Sequence, residues 1–176
     1  MRLFFATFPD VDARRRISAE ARSLDLPRHS APMPPENYHM TLLFLGEVAD
    51  RNVQSVREVG GAQIAGRIPL QFDHWEYWSG ARAVVAATSD RPESLLQLRA
   101  SLAAGLRRLD IDFDDKPLCP HITVARKIAQ APVLPAMSEF RWSASAFSLV
   151  ASVTGPTGSV YTVLDTWQLL DIAAHC

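Results

Sequence analysis

Two copies of the tripeptide His-x-Thr hold the side chains of this sequence best suited to chemistry: His39 with Thr41, and His121 with Thr123. Each copy lies in an apolar stretch typical of a β-strand, where successive side chains point to opposite faces of the sheet. The imidazole and the hydroxyl of each copy therefore share a face, and the neighbouring apolar residues anchor the other. Two such strands could together line a cleft equipped for acid and base work on a phosphate.

The surroundings of the two copies are alike. The first follows a proline-containing loop at residues 34–38 and the second follows another at 117–120, so both begin a strand directly after a loop. Short motifs also recur by chance. The alternative interpretation is a pair of structural histidines on half-buried strands, each satisfied by a backbone carbonyl.

Length and charge limit the classes of function. A chain of 176 residues that is 48% hydrophobic can bury one substantial core, and we expect a single domain over residues 1–176. The formal net charge of −1 argues against coating a long duplex, because many basic side chains would have to neutralise its phosphates. A small or terminal phosphate ligand fits this charge better.

The opening residues and the cysteines indicate the cellular compartment in which we expect the protein. The apolar run at residues 3–8 is interrupted by Pro9 and is too short for a signal peptide, and no stretch is long enough to span a bilayer. Cys119 and Cys176 do not form the pattern of a disulfide framework, which favours a reducing compartment. We therefore expect a cytoplasmic protein without a membrane partner.

Hydrophobic periodicity predicts the elements that would position the two motifs. Helices are expected at residues 10–24 with Asp10 as N-cap, at 50–64, and at about 90–109 with the apolar stripe Leu95, Leu98, Leu102, Leu106 and Leu109. Strands are expected at residues 2–8, 68–78, 81–88, 140–152, 159–164 and 167–172, besides the two motif strands, with a turn at 155–158.

The order strand, helix, loop, motif strand occurs twice along the chain. The two motifs lie 82 residues apart, which is close to the spacing of the two opening strands and argues for a duplicated unit. We therefore predict an α+β fold: two pseudo-symmetric lobes of largely antiparallel sheet with flanking helices around a central cleft.

Four blocks in this order give the chain a family resemblance: RLFFA at residues 2–6, PENYHMTLLFLG at 35–46, PHITVAR at 120–126 and GSVYTVL at 158–164. The chain resembles the two-histidine (2H) phosphoesterase superfamily and, within it, the RNA 2′,3′-cyclic phosphodiesterases, also called 2′-5′ RNA ligases. The resemblance covers almost the whole chain. It implies the 2H phosphoesterase fold, no metal or other cofactor, and hydrolysis of a terminal 2′,3′-cyclic phosphate to a 2′-phosphate, with 2′-5′ ligation as a secondary reverse activity.

By this resemblance, His39 is the proton donor to the 3′ oxygen and His121 is the proton acceptor that activates water. The residues alone do not choose between these roles, because either imidazole can act as acid or base near neutral pH. Thr41 and Thr123 are expected to donate hydrogen bonds to the phosphate oxygens. The implied partners are RNA or oligonucleotide ends bearing 2′,3′-cyclic phosphate, bound by a monomer that needs no protein partner.

Arg126 and Tyr161 complete the expected substrate-binding set. Arg126 follows Thr123 by three residues, and simple alternation turns it to the opposite face unless the strand bulges, so its place in the cleft rests on the resemblance. The alternative for Arg126 is a surface arginine. Tyr161 would close the cleft or stack on a base, the alternative being a buried strand tyrosine. The four tryptophans are expected in the core or at an interface. The phenylalanines at residues 4–8 are expected in the core, the alternative being one aromatic at the rim of the cleft that holds the terminal base.

Other interpretations stay open at this stage. A metal site built from His39, His121 and Asp114 or Asp115 lacks a close-spaced ligand motif. The same catalytic residues would serve another substrate, such as ADP-ribose 1″,2″-cyclic phosphate or a 2′-5′-linked oligonucleotide, and the width of the cleft decides between them. A third interpretation is an RNA-end binding module, although binding alone would not need two titratable groups.

Overall fold

The computed structural model describes residues 1–155 and 158–171. Within them the helices are α1 (Val11–Ala21), α2 (Val53–Gly61) and α3 (Glu93–Arg107). The strands of this part of the chain are β1 (Arg2–Thr7), β2 (Ala31–Pro32), β3 (Met40–Glu47), β4 (Ile68–Phe72), β5 (His74–Trp78), β6 (Ala83–Ala87), β7 (His121–Arg126), β8 (Phe140–Ala144), β9 (Ala146–Gly155) and β10 (Gly158–Gln168).

Two antiparallel sheets of four strands carry the two motifs. The first has the order β10-β9-β1-β3 and the second has the order β2-β7-β6-β5. β4 and β8 form a further antiparallel pair. This confirms the predicted α+β class with largely antiparallel sheets.

The two sheets repeat one pattern around the motif strands. β3 pairs with β1 in the first sheet as β7 pairs with β6 in the second, and in each case a helix lies between the two strands in sequence. The chain nevertheless does not divide at its middle. β2 joins the second sheet and β9 with β10 completes the first, so each sheet draws on distant parts of the sequence.

Strand β1 is buried on both faces and separates two clusters of apolar side chains. Leu3 and Phe5 belong to the main core, whereas Phe4 and Ala6 join Val150 in a small cluster on the other face. Burying both faces of a strand requires a continuous apolar run, which the sequence of β1 supplies. The small cluster forms the floor of one side of the cleft described below.

Helix α1 begins where the sequence predicts, α2 and α3 begin later, and all three end earlier; α3 has Pro92 as its N-cap rather than Asp90. The carboxylate of Asp10 accepts a hydrogen bond of 2.8 Å from the backbone N–H of Ala13, so Asp10 is the N-cap of α1 as predicted. Helix α1 ends at Ala21, and the backbone N–H and the hydroxyl of Ser23 both donate to the carbonyl of Glu20 in its last turn. In α3, Leu95, Leu98, Leu102 and Leu106 are buried as predicted, but Leu109 lies past the end of the helix and is exposed.

Helix α2 is shorter than the predicted helix over residues 50–64. A 3₁₀ turn occupies Asp50–Asn52, and α2 ends at Gly61. Position 60 favours glycine, because a Cβ there would collide with the ring of Trp167. Two adjacent glycines, which favour other backbone conformations, account for the early end of the helix.

Several strand boundaries predicted from the sequence are wrong. The strand predicted at 68–78 is divided at Asp73 into β4 and β5, which pair in different sheets, and the strand predicted at 140–152 is divided at Ser145. The strands predicted at 159–164 and 167–172 are one strand, β10, with an irregularity between Val163 and Asp165. Alternation of side chains does not reveal where a strand passes from one sheet to another. Pro156 and Thr157 of the predicted turn, and position 172, lie outside the described residues.

The short strand β2 was not predicted. It lies in the proline-rich loop before the first motif and pairs with Arg126 and Ala125 of β7.

Of the helices in residues 1–155 and 158–171, none is both long and apolar enough to cross a membrane.

Candidate active site

A cavity of about 550 Å³ lies between the two sheets and brings the two motifs together. His39 and Thr41 line it from the first sheet, and His121 and Thr123 line it from the second. On the other face of the motif strands, Met40 and Ile122 are fully buried in the main core, together with the apolar residues that follow them. This is the alternation predicted from the sequence.

Each imidazole is held by a hydrogen bond of the same kind, between Nδ1 and a backbone carbonyl. The Nδ1 atom of His39 lies 2.7 Å from the carbonyl oxygen of Asn37, and Nδ1 of His121 lies 2.7 Å from that of Cys119. A carbonyl oxygen only accepts, so Nδ1 carries the proton in each ring and donates it. Each neutral ring therefore keeps the lone pair of Nε2 available for a ligand or a proton.

These carbonyl bonds are the partners expected for purely structural histidines, but they engage only one nitrogen of each ring. In each motif the acceptor is the residue two positions before the histidine, at the end of the proline-containing loop. The loops thus orient the rings as the motif strands begin. Both rings also line the cavity, which a purely structural interpretation does not require.

Burial sets the charge of the two imidazoles. Loss of solvent lowers the pKa of His39 below the ordinary value, and the nearby His121 and Arg126 lower it further, against the raising effect of the Asn37 carbonyl. Burial also lowers the pKa of His121; Arg126 adds to this, while the Cys119 carbonyl and the Glu76 carboxylate oppose it. In the free protein both rings are therefore mainly neutral at pH 7.

Matching β-bulges follow the two motifs. In β3, Thr41 pairs with Ala6 and Leu43 with Phe5, which leaves Leu42 as an extra residue. In β7, Thr123 pairs with Val85 and Ala125 with Val84, which leaves Val124 as the extra residue. Two consecutive residues of each strand then enter the core, Leu42 with Leu43 and Val124 with Ala125.

The bulge explains the position of Arg126. Because two consecutive residues face the core, the third residue after the motif threonine returns to the cleft. Arg126 lines the cavity for this reason, as the resemblance implied and simple alternation did not. Phe44 is the equivalent residue after the first motif, and it also lines the cavity.

Aromatic rings enclose His39. Tyr161 packs edge-on with ring centroids 4.9 Å apart, Phe4 lies at 5.1 Å and Phe8 at 5.9 Å. Tyr161 is half-buried and lines the cleft, as expected for a residue that closes it. Phe4 is buried, as expected for a core residue, and also lines the cleft, whereas Phe5 is a core residue as predicted.

Trp78 packs against His121, with ring centroids 4.1 Å apart, and lines the cavity. Of the two places expected for it, core or interface, Trp78 does not take the core, because it is the last residue of β5 and faces the cleft from the edge of the second sheet. Trp75 and Trp142 are buried as predicted. The sequence gives no sign of this difference, since it depends on which strand forms the sheet edge.

The β9–β10 hairpin adds hydroxyl groups that sequence reasoning missed. Ser152, Thr154 and Ser159 line the cavity beside Tyr161. Ser152 pairs with Tyr161 and Thr154 with Ser159, so all four share one face of the hairpin. Alternation within residues 152–161 would have suggested this set, had the pairing of the two strands been known.

Asp114 is the acidic residue of the cavity. Its carboxylate accepts a hydrogen bond from the backbone N–H of Lys116 at 3.1 Å and pairs with the Lys116 ammonium at 3.3 Å. The backbone hydrogen bond is the main reason that its pKa is lowered, so the carboxylate stays ionised. Asp115 pairs instead with Arg107 at 2.7 Å. No group of three or more His, Cys, Asp or Glu in the described part of the chain has the geometry to hold a metal ion.

The other histidines of the described residues, His29 and His74, do not line the cavity, and His74 contacts the carboxylate of Asp73. His175 lies outside the described residues, as does Cys176. Cys119 is exposed and forms no disulfide within the described residues.

The chain is similar in sequence to known proteins. A family model described as the 2′-5′ RNA ligase superfamily matches residues 8–155. An RNA 2′,3′-cyclic phosphodiesterase of Thermus thermophilus is 35% identical over 181 residues, covering 96% of this chain and 90% of that protein. One from Escherichia coli K12 is 29% identical over 170 residues, with 96% of each chain covered.

Solved structures show the same likeness. The crystal structure of TT0787 from Thermus thermophilus superposes with a TM-score of 0.85 at 32% identity, covering 96% of this chain and 98% of that one. The crystal structure of E. coli LigT complexed with 3′-AMP superposes with a TM-score of 0.82 at 27% identity, covering 96% and 97%.

Proposed function

This chain belongs to the 2′-5′ RNA ligase superfamily, and from that membership and the geometry of the cleft we propose that it is an RNA 2′,3′-cyclic phosphodiesterase. It opens a terminal 2′,3′-cyclic phosphate to a 2′-phosphate. The observation that carries the proposal is the pair of imidazoles that face one cavity, each with Nδ1 committed to a carbonyl and Nε2 left for chemistry.

In the proposed mechanism, His121 accepts a proton from water as the water oxygen attacks phosphorus. The bond from phosphorus to the 3′ oxygen breaks, and His39 donates a proton to that oxygen. The products are a 2′-phosphate and a 3′-hydroxyl, and a proton passes from His121 to His39 through solvent to restore the starting state. One imidazole must be protonated and the other neutral. Binding of an anionic phosphate favours this state, because a negative charge raises the lowered pKa of an imidazole in the cleft.

The other residues of the motifs stabilise the charge that develops on phosphorus. The hydroxyls of Thr41 and Thr123 donate hydrogen bonds to the non-bridging oxygens. Neither hydroxyl has a hydrogen-bond partner among the described residues, so both are available to a ligand. Arg126 supplies a guanidinium, which matches two phosphate oxygens at once. Tyr161 and Phe4 then border the ribose on the His39 side.

The functional unit we propose is a monomer in the cytoplasm. Every residue given a role lies in one chain, so the site is complete without a second copy. The exposed thiol of Cys119 is compatible with a reducing compartment. Sedimentation at working concentration checks the first statement, and a second species at that concentration would contradict it.

The test is incubation with a short RNA that ends in 2′,3′-cyclic phosphate, with excess chelator present, followed by separation of 2′-phosphate from 3′-phosphate products. We expect a 2′-phosphate product that His39→Ala and His121→Ala both abolish. His74→Ala is the matched control and should retain activity, because His74 lies outside the cleft. Loss of activity in chelator that zinc or manganese restores would contradict the metal-free mechanism. Binding without turnover would point to an RNA-end binding module.

A further inference from the structure

The two halves of the cleft differ at the position that follows each bulge. The second motif strand presents Arg126 there, whereas the first presents Phe44, which cannot bind an anion. The guanidinium of Arg2 lies over the ring of Phe44, with its central carbon 4.8 Å from the ring centroid. The first half therefore also holds a guanidinium at this position, supplied by the neighbouring strand through a cation–π contact.

Arg2 lines the cavity and has no acidic partner there. Among the described residues, neither Arg2 nor Arg126 forms a salt bridge with a carboxylate. Other arginines are paired, such as Arg57 with Asp165 at 2.9 Å. The ionised carboxylate of Asp114 lines the same cavity but pairs with the Lys116 ammonium, so the guanidinium of Arg2 stays available to an anionic ligand.

Two aromatic rings separate Arg2 from the reacting centre. The ring of His39 packs on Phe4, Phe4 lies directly across the sheet from Phe44, and Phe44 holds Arg2. Arg2 precedes Phe4 by two residues on the same face of β1, which places its Cα roughly 7 Å further along the strand. A phosphate that reacts at the histidines leaves Arg2 for a second anionic group.

An RNA end offers such a group. If the terminal cyclic phosphate lies between the histidines, the next negative charge is the phosphodiester on the 5′ side of the same nucleoside. Flat rings such as Phe4 and Phe44 suit the intervening nucleoside, since bases stack on aromatic side chains. The cavity of about 550 Å³ is within the size range of sites for ligands larger than a cyclic phosphate.

We propose that Arg2, positioned by Phe44, binds the phosphodiester that precedes the terminal nucleoside and makes the enzyme favour oligonucleotide ends over mononucleotides. This inference rests on the proposed function, because it takes the histidine pair as the site of the cyclic phosphate. It assigns Arg2 to binding and Phe44 to positioning.

The test compares a nucleoside 2′,3′-cyclic phosphate with a dinucleotide that ends in the same group, and with that dinucleotide carrying a neutral methylphosphonate linkage. For Arg2→Gln we expect the ratio of kcat/KM for dinucleotide over mononucleotide to fall about tenfold, the size of one hydrogen-bonded charge contact. Arg2→Lys should fall less, and Phe44→Leu should lower the same ratio. Arg16→Gln, an exposed arginine on α1, is the matched control and should leave the ratio unchanged.

The neutral linkage separates a binding role from a structural one. Replacing the charged linkage should lower kcat/KM of the wild type about as much as Arg2→Gln does, and the two changes together should cost little more than either alone. An equal loss on all three substrates, or no loss on any, would overturn the inference.

A failure of the proposed function would be visible separately, as no hydrolysis of any substrate by the wild type. In that case the binding of a dinucleotide 2′-phosphate and of a nucleoside 2′-phosphate is measured instead. A fall of about tenfold in their affinity ratio for Arg2→Gln would support the assignment of Arg2. An unchanged ratio would overturn it.

Discussion

The half of the cleft built on β1 and β3 and the half built on β6 and β7 share a backbone and differ in their surroundings. Each presents a histidine fixed by a carbonyl bond of 2.7 Å, a threonine on the same face and a bulge directly after it. His39, however, is enclosed by Phe4, Phe8 and Tyr161, whereas the aromatic neighbour of His121 is Trp78.

This comparison separates what the repeated scaffold provides from what its neighbours provide. The scaffold brings two equivalent imidazoles to one cavity. Equivalence alone does not decide which imidazole acts as the acid and which as the base. Their surroundings make them different: Glu76 acts on the pKa of His121, and the aromatic rings pack around His39. We expect the differences between the halves to determine which histidine is the acid and which is the base. The shared features should determine the rate of hydrolysis.

The largest effect expected comes from removing either imidazole. General acid or base catalysis contributes about 10² to 10⁴ in rate, so His39→Ala and His121→Ala should each lower kcat by that amount. The double variant should lose little more than the single ones, because the two groups act in one step. Single-turnover kinetics of the cyclic phosphate measure this, and circular dichroism checks the fold. A double variant whose losses multiply would contradict paired roles.

The motif hydroxyls should have a smaller effect. Thr41→Val and Thr123→Val keep the shape of the side chain and remove its hydrogen bond to a charged phosphate, worth about 1.5–3 kcal/mol or roughly 10-fold to 150-fold in kcat/KM. Thr41→Ser and Thr123→Ser keep the hydroxyl and serve as controls. If the serine variants lose as much as the valine variants, the methyl contacts matter rather than the hydrogen bonds.

Variants of Arg126 test the difference between the two residues that follow the bulges, Arg126 in one half and Phe44 in the other. Arg126→Gln should lower kcat/KM about tenfold or more on every cyclic phosphate, including the mononucleotide, because this residue is assigned to the reacting phosphate. Arg126→Lys should recover part of the loss, since it keeps the charge without the planar fork. Loss on the dinucleotide alone would give Arg126 the role proposed for Arg2.

The pH dependence follows from the lowered pKa of both histidines. Each imidazolium loses its proton at a lower pH than free histidine, so the acid disappears as the pH rises and the base becomes protonated as it falls. We expect kcat/KM to peak below about pH 6.5 with two limbs. The alkaline limb of kcat should lie at higher pH, because the bound phosphate stabilises the imidazolium. A single limb would contradict paired acid and base roles.

The smallest effect concerns the aromatic neighbours. Burial is the main cause of the lowered pKa of His39, so Phe4→Leu should admit water and raise that pKa toward its ordinary value. Trp78→Leu should raise the pKa of His121 in the same way and change that of His39 less, through the charge of His121 alone. Histidine resonances followed by NMR over pH measure both. An equal shift of both rings in either variant would show that the two halves do not act separately.

The sequence predicted the parts of the site that depend on local patterns. Alternation placed each histidine with its threonine, and the repeated order of elements predicted a duplicated unit around a cleft. The apolar residues after each histidine then fixed which face turns to the core. Because these signals lie within a few residues, they can be seen without knowledge of the rest of the fold.

What the sequence did not predict depends on distant pairings. The return of Arg126 to the cleft needs the bulge at Val124, which is visible only in the register of β7 against β6. Trp78 faces the cleft because β5 is a sheet edge, and Ser152 does so because β9 pairs with β10. The division of residues 68–78 at Asp73 likewise arises because β4 and β5 have different partners.

The most direct test of the division of roles between the two halves is replacement of the bridging 3′ oxygen of the cyclic phosphate by sulfur. A thiolate leaves without a proton far more readily than an alkoxide, so a general acid is no longer needed. We predict that the defect of His39→Ala shrinks about 10²-fold or more on this substrate, whereas the defect of His121→Ala persists. Equal recovery of both variants, or recovery of His121→Ala alone, would contradict this division of roles.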